Sequence, residues 1–364
     1  MTCRNPVLSG FYPDPSVCRV GRDYYLVTSS FEYFPGVPVF HSRDLVHWHQ
    51  IGHCLDRDSQ LPLQGAKSSA GIWAPSLRCH DGVFYMVTTN MSHGGNFYVT
   101  ATDPAGPWSE PVWLEDPGPW EGGGIDPSLL FDQDGTVYYT RESLNPLGIV
   151  QAELDLETGR LRERPRLIWS GTGGPWTEGP HLYRIGDIYY LMAAEGGCWL
   201  GHREAIARSA SPWGPFENCP RNPILTHRHL CGLEMPPIQG VGHSDLVEAH
   251  DGSWWMVCLG HRPLGSWHLL GRETFLVPVV WDADGWPVVG RNGLVDEESD
   301  GPAFVGTETA TAPVRDEFDV PELALEWNFR GNPDRDRFRL AERPGWLRLR
   351  GGPRTLDHAV SNTF

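Results

Sequence analysis

Five stretches of the chain repeat one pattern, and that repeat limits the possible folds more than any other feature. They begin at Asp14-Pro15-Ser16, Ala74-Pro75-Ser76, Asp126-Pro127-Ser128, Gly179-Pro180-His181 and His243-Ser244-Asp245. Each runs through a short apolar segment into an Asp- or Gly-bearing turn, as at Gly21-Arg22-Asp23, Asp134-Gly135 and Asp251-Gly252. A second apolar run follows, such as Tyr24-Tyr25-Leu26-Val27 or Trp254-Trp255-Met256-Val257. Two β-branched or aromatic runs about such a turn form a β-hairpin. The second pattern residues, Pro15, Pro75, Pro127, Pro180 and Ser244, stand 52 to 64 residues apart, which leaves room for two further strands per unit. Five units of four strands describe an all-β, five-bladed β-propeller. A sandwich with chance hairpins is the competing architecture.

Composition agrees. Gly (42) and Pro (32) make up about a fifth of the 364 residues, which suits many short elements joined by turns. Most of the 16 Trp are assigned to packing between sheets and a few to sugar stacking. The net charge of −17 repels phosphate backbones and anionic membrane surfaces, so neither nucleic acid nor membrane is expected as a partner. No apolar run approaches the ~18 residues of a membrane span. The eight cysteines contain no C-x-x-C pair, which argues against structural zinc. The opening Met1-Thr2-Cys3-Arg4 lacks a basic stretch leading into an apolar run, so free thiols in a reducing cytoplasm are expected.

In a propeller the innermost strand of each blade lines the central axis. The first pattern residues, Asp14, Ala74, Asp126, Glu178/Gly179 and His243, are therefore expected to converge at one end of it. Three carboxylates at one concave site repel one another, which raises at least one pKa and suits acid/base chemistry. Taken singly, Asp14 and Asp126 read as turn residues and Glu178 as a solvated loop carboxylate. Their matched places in the repeat favour a site.

The character changes after about residue 300, where 301–313 reads as a linker and 314–364 as strands of another all-β unit. The expected organisation is a propeller over 1–300, the linker 301–313 and an incomplete β-sandwich over 314–364. Some 50 residues are too few for an ordinary sandwich, so a truncated chain is expected.

These residues resemble the β-xylosidases and α-L-arabinofuranosidases of glycoside hydrolase family 43. The resemblance rests on Tyr12-Pro13-Asp14-Pro15-Ser16, Ser29-Ser30-Phe31-Glu32-Tyr33-Phe34-Pro35-Gly36 and Gly71-Ile72-Trp73-Ala74-Pro75-Ser76. It continues in Ile125-Asp126-Pro127-Ser128-Leu129, Thr177-Glu178-Gly179-Pro180-His181 and Gly271-Arg272-Glu273-Thr274-Phe275. It implies a five-bladed propeller followed by a concanavalin-like β-sandwich that helps to close the pocket. It also implies Asp14 as general base, Glu178 as general acid and Asp126 as the carboxylate that orients the acid and modulates its pKa. Phe31, Trp73, Arg272 and His243 are implied as pocket and substrate residues. Read as residues alone, Phe31 and Trp73 also suit a core, Arg272 an ion pair with Glu273 or another acid, and His243 a satisfied buried site. Cys198-Trp199 departs from the smaller or hydroxyl residues usual in the subgroup.

The implied reaction inverts the anomeric centre, with two carboxyls ~6.5–9.5 Å apart and a water between base and sugar. The implied activity is exo-release of terminal xylose from xylo-oligosaccharides, with α-L-arabinofuranosides as a second substrate class. The insertion Leu55–Leu63 is expected to wall off one side of the pocket. In some relatives an axial histidine belongs to a hydrated calcium site; no oxygen-ligand loop for calcium is present, so no cofactor is expected, with calcium kept as the alternative. A homo-oligomer stays open. The alternatives are a non-catalytic sugar-binding propeller, and a chain inactive because its sandwich is incomplete.

Overall fold

The computed structural model describes residues 2–116, 124–230, 237–265, 267–306 and 315–351. Five antiparallel sheets follow the five sequence repeats. The first is Ser16–Val20, Asp23–Val27, Gly36–Ser42 and His49–Leu55, in that order from inside to outside. The second runs Ile72–His80, Val83–Asn90, Gly95–Ala101 and Val112–Trp113. The third starts with Ser128–Phe131 and Val137–Leu144, the fourth with Glu178–Ile185 and Ile188–Glu195, the fifth with Gln239–Glu248 and Trp254–His261. The expected four strands per blade are present. In blades three and four the outer edge is divided, because Arg166–Trp169 and Leu225–Thr226 also pair with the third strand. Among the described residues the only helix is the 3-10 turn Arg228–Leu230. The predicted five-bladed propeller is therefore the observed architecture.

Alternation along each strand sends apolar side chains to both faces of a blade, where they meet the neighbouring blades. Most of the buried apolar residues described fall into five clusters, one for each pair of adjacent blades. Val27 and Val39 meet Leu77 and Met86 between blades one and two. Leu26 meets Val257 and Leu276 where blade five returns to blade one.

The ring is closed by chain segments far apart in sequence. Thr2–Arg4 pairs with Glu298–Asp300. Asn5 donates from its amide to Leu276 O (2.9 Å) and Asp296 O (3.0 Å), while its carbonyl accepts from Leu276 N (2.9 Å). Near the axis the fully buried Asp245 of blade five gathers donors from three other blades. Its carboxylate accepts from Ser16 Oγ (2.6 Å) and Val17 N (3.0 Å), from Arg78 Nη1 (2.8 Å) and Nη2 (3.1 Å), and from Tyr183 OH (2.6 Å). Burial alone would raise its pKa, but the charge of Arg78 and the donated hydrogen bonds hold it far below the usual carboxylate range. Arg78 Nη2 also donates to His181 Nδ1 (2.9 Å), and burial holds that imidazole neutral, with a pKa lowered to about 3.

Residues 315–351 lie against blade one. Phe329–Arg330 pairs with Tyr33–Phe34, and Gly331 N donates to Glu32 O (2.7 Å). Asn332 accepts from Leu63 N (2.7 Å) and donates to Leu61 O (2.8 Å). The insertion Leu55–Leu63 thus has a different role from the expected one. Leu61 and Leu63 are fully buried in the cluster between blades one and two, and the Gln60 amide binds Ser109 O (2.8 Å). The insertion fills the core and anchors the following unit, and none of it lines the pocket.

Asp245→Asn removes the counter-charge of Arg78 inside the ring. Such losses cost about 3 kcal/mol or more. Urea unfolding should show a midpoint lowered by that free energy divided by the m-value, and a midpoint within experimental error of the parent would contradict the role of this carboxylate.

Candidate active site

Each innermost strand carries a backbone reversal at the same place in the repeat. Asp14 (φ 54°), Ala74 (27°), Asp126 (56°), Gly179 (58°) and His243 (48°) all adopt the left-handed region. For residues other than glycine this costs energy, least for Asp, Asn and His, and it persists where the surroundings dictate it. In blades two, four and five the pairing register slips beside the reversal. All five residues border one small space on the axis. Asp14, Asp126 and His243, together with Glu178, which precedes Gly179, also line an open cavity of about 810 Å³ at that end of the ring. Phe31, Trp73 and Arg272 line the same cavity, so all seven residues singled out in the sequence meet there.

Asp14 is buried and held from three sides. Oδ2 accepts from Ser29 Oγ (2.6 Å), which itself accepts from Ala74 N (2.7 Å). Oδ1 accepts from Arg272 Nη1 (2.7 Å) and lies 3.7 Å from His243 Nδ1. Burial works to raise the Asp14 pKa, but Arg272, His243 and the Ser29 hydrogen bond together keep it below its ordinary value. The partner of Arg272 is therefore Asp14, whereas Glu273 pairs with Arg262 (2.7 Å).

The other carboxyls have the opposite electrostatics. Burial, then the negative charges of Asp14 and Glu142, push Glu178 up to about 8 against the opposing charge of Arg272. Asp126 is pushed well above the carboxylate range by burial, then by Glu178, Asp14 and Glu142, although Gly179 N donates to it. The sequence reading assigned the upward shift of Glu178 to Asp126. Burial proves the larger cause, and the repulsion between these two acids stands out on Asp126.

Glu142 was not singled out in the sequence. It is buried at the cavity wall, accepts from Gly124 N (3.0 Å), and is itself raised by burial. It lies on the second strand of blade three, Val137–Leu144, away from the first pattern residues that the repeat brings to the axis. The available signal was the polar run Thr140-Arg141-Glu142-Ser143, which is buried throughout.

Aromatic rings form one wall. The Phe31 and Trp73 centroids are 6.1 Å apart, Phe11 lies 5.6 Å from Phe31, and the Arg272 guanidinium lies 5.1 Å over the Phe31 ring. Phe31 bridges to Ile72 through paired backbone hydrogen bonds (2.9 and 3.0 Å), which ties the blade-one and blade-two loops together. Trp73 Nε1 donates to Ser69 O (2.8 Å), and Glu32 accepts from Ser69 N (2.8 Å). Trp176, Cys198 and Trp199 also line the cavity, and Arg272 Nη1 reaches Cys198 Sγ (3.3 Å).

The axial space, the place implied for the hydrated calcium of some relatives, measures about 10 Å³, about what one water fills, and the five left-handed residues hem it in. Six to eight oxygen ligands at about 2.3–2.6 Å do not fit there. Among the described residues no group of three His, Cys, Asp or Glu is placed to hold a metal ion.

With this geometry in place, comparisons with known proteins point one way. The family profile "Glycosyl hydrolases family 43" matches residues 3–287, and "Beta xylosidase C-terminal Concanavalin A-like domain" matches 315–364. The chain is 51% identical over 355 residues to the non-reducing end alpha-L-arabinofuranosidase BoGH43B of Bacteroides ovatus, covering 96% of this chain and 65% of that protein. It is 50% identical to a xylosidase/arabinosidase of Butyrivibrio fibrisolvens, covering 99% and 71%. A solved xylan beta-1,4-xylosidase from Bacillus halodurans superposes with a TM-score of 0.91 at 40% identity, covering 99% and 70%. The chain thus spans about two thirds of the length of these relatives, and it belongs to glycosyl hydrolase family 43.

The raised pKa of Glu178 has a consequence for stability. In the unfolded chain this carboxyl ionises near 4.5, while the folded protein holds the proton up to about 8. Between those values the folded form binds more protons, so this group lowers stability as pH rises. Glu178→Gln should raise the Tm over the parent at pH 8, with the gain shrinking towards pH 4. An equal difference at both pH values would contradict the shift.

Proposed function

We propose that the chain is the catalytic part of an inverting exo-glycoside hydrolase that releases terminal xylose from short xylo-oligosaccharides, with α-L-arabinofuranosides as a second substrate class. The observation that carries this reading is the opposite polarisation of two carboxyls in one cavity. Arg272 keeps Asp14 ionised, and burial with neighbouring charge keeps Glu178 protonated near neutral pH. An inverting glycosidase needs that division of labour.

Asp14 takes a proton from water as that water attacks the anomeric carbon. Glu178 gives its proton to the departing glycosidic oxygen. Asp126, whose pKa burial and the charges of Glu178 and Asp14 hold well above its ordinary range, orients the acid. Phe31 and Trp73 present apolar ring faces to the sugar, and Arg272 and His243 fix the base. The relatives named for xylosidase and arabinosidase activity support both sugars. A net charge of −17 suits a neutral sugar and disfavours phosphate backbones. No helix among the described residues is long and apolar enough to cross a membrane. The seven described cysteines, Cys3, Cys18, Cys54, Cys79, Cys198, Cys219 and Cys258, are free, which supports a reducing cytoplasm. Cys231 lies outside the described residues.

The pH profile of kcat/KM should be a bell. Activity needs the proton on Glu178, so it is present below about 8 and falls as pH rises through that value. On the acid side it falls only as Asp14 takes up a proton, below the ordinary 3.8. Glu142→Gln removes a negative neighbour that favours protonated Glu178, so the alkaline limb should move to lower pH.

Product analysis tests the reaction itself. Xylohexaose should lose one xylose at a time, and proton NMR should show α-xylose first. Random mid-chain products or β-xylose first would overturn the reading. Glu178→Gln should cost at least about 100-fold on a xyloside with a poor leaving group. The carboxyls are proposed to act without a metal, so EDTA should leave these rates unchanged.

A further inference from the structure

Two exposed tryptophans face each other at the cavity mouth. Trp176 is 46% exposed and Trp199 is 65% exposed, yet their ring centroids lie 5.2 Å apart at 42°. Both line the same cavity as Glu178 and Asp14. Large aromatic rings left open to water at a cavity mouth offer apolar area to a ligand.

Their loops are built to hold them. Trp176 sits in a left-handed backbone (φ 50°) two residues before Glu178. The loop bearing Trp199 is bound to the loop bearing Trp176 through Gly196 N to Pro175 O (2.8 Å). Beneath both, the fully buried Glu195 clamps the two segments. It accepts from Thr172 N (2.6 Å), Thr172 Oγ1 (2.5 Å) and Arg203 Nε (2.9 Å). Those charge-assisted bonds lower its pKa against the effect of burial. At Gly197 (φ +59°) a Cβ would stand 2.5 Å from the Trp199 ring and 3.4 Å from the Trp176 ring. Glycine is required there for the pair to close.

We propose that Trp176 and Trp199 form the leaving-group subsite, a stacking platform for the sugar ring beyond the bond that is cut. This rests on the hydrolase reading above. If Glu178 protonates the glycosidic oxygen, the ring carrying that oxygen lies on the Glu178 side of the cavity, away from Asp14. A β-linked xylose ring has C–H faces that cover an indole, while its hydroxyls stay in water at the open mouth. The platform selects donors with a sugar leaving group over donors with a small one. It also accounts for the departure at Cys198-Trp199, where Cys198 turns inward to Arg272 and Trp199 turns to the mouth.

Xylobiose and β-xylosyl fluoride separate the two halves of the cavity, because both place xylose over Asp14 and only xylobiose has a ring to stack. For Trp199→Ala, the ratio of kcat/KM on xylobiose to that on the fluoride should fall at least about tenfold, mostly through KM, as expected when an aromatic contact is lost. Trp199→Phe keeps a stacking face and should restore the ratio to within about threefold of the parent. An unchanged ratio overturns the proposal, whether the separate rates stay or fall together. A parent protein that cleaves the fluoride but not xylobiose also overturns it and leaves the hydrolase reading standing. A parent that turns over neither donor removes the hydrolase reading and the subsite with it.

Discussion

Blades of a propeller share no hydrogen-bond ladder, so their inner edges need side chains to hold them at the axis. In this chain that task falls on the buried carboxylate of Asp245, which takes hydrogen bonds from Ser16, Arg78 and Tyr183 on three other blades. A buried charge is tolerated only with a matching charge and saturated lone pairs, and Asp245 has both. Apolar contact between blades is plentiful but has little directional preference. The ionic hub adds direction, because its donors come from fixed places on separate sheets.

The same construction makes the reactive end of the ring possible. Each inner strand carries one left-handed residue at the same repeat position, and Asp14, Asp126 and His243 occupy three of those positions. Their strained backbones stay put because the ring holds them. Asp245, fully buried, and Glu178, half-buried at the cavity wall, are both acids near the axis, yet they titrate in opposite directions. Asp245 has cationic and hydrogen-bonding partners that outweigh burial. Glu178 has mainly anionic neighbours. Partner chemistry, rather than depth alone, separates a structural carboxylate from one poised to give up a proton.

Much of this was legible in the sequence, for identifiable reasons. The repeat showed the blades because a hairpin is a local object, written in turn residues and alternating strands. Asp14 and Asp126 could be located because they occupy equivalent places in that repeat, and Glu178 because it stands one residue before the equivalent Gly179. Glu142 could not, since it reaches the cavity from a second strand. The partner of Arg272 was also hidden, because Asp14 lies 258 residues away. The segment Leu55–Leu63 misled for a related reason. Its length suggested a wall, but the fully buried Leu61 and Leu63 make it part of the core. Periodicity reports neighbours along a strand and is silent about distant segments that meet only when the ring closes.

That closure also sets an order of events during synthesis. Thr2–Arg4 leaves the ribosome almost three hundred residues before its strand partner Glu298–Asp300. At ordinary elongation speeds the wait is on the order of tens of seconds. Until then the inner face of blade one, with Leu26 and Val17, lacks the blade-five side chains that cover it in the finished ring. The nascent chain therefore carries an open apolar flank through most of its translation, and a pause between blades four and five would prolong the interval in which that flank is open to chaperones or to other unfinished chains.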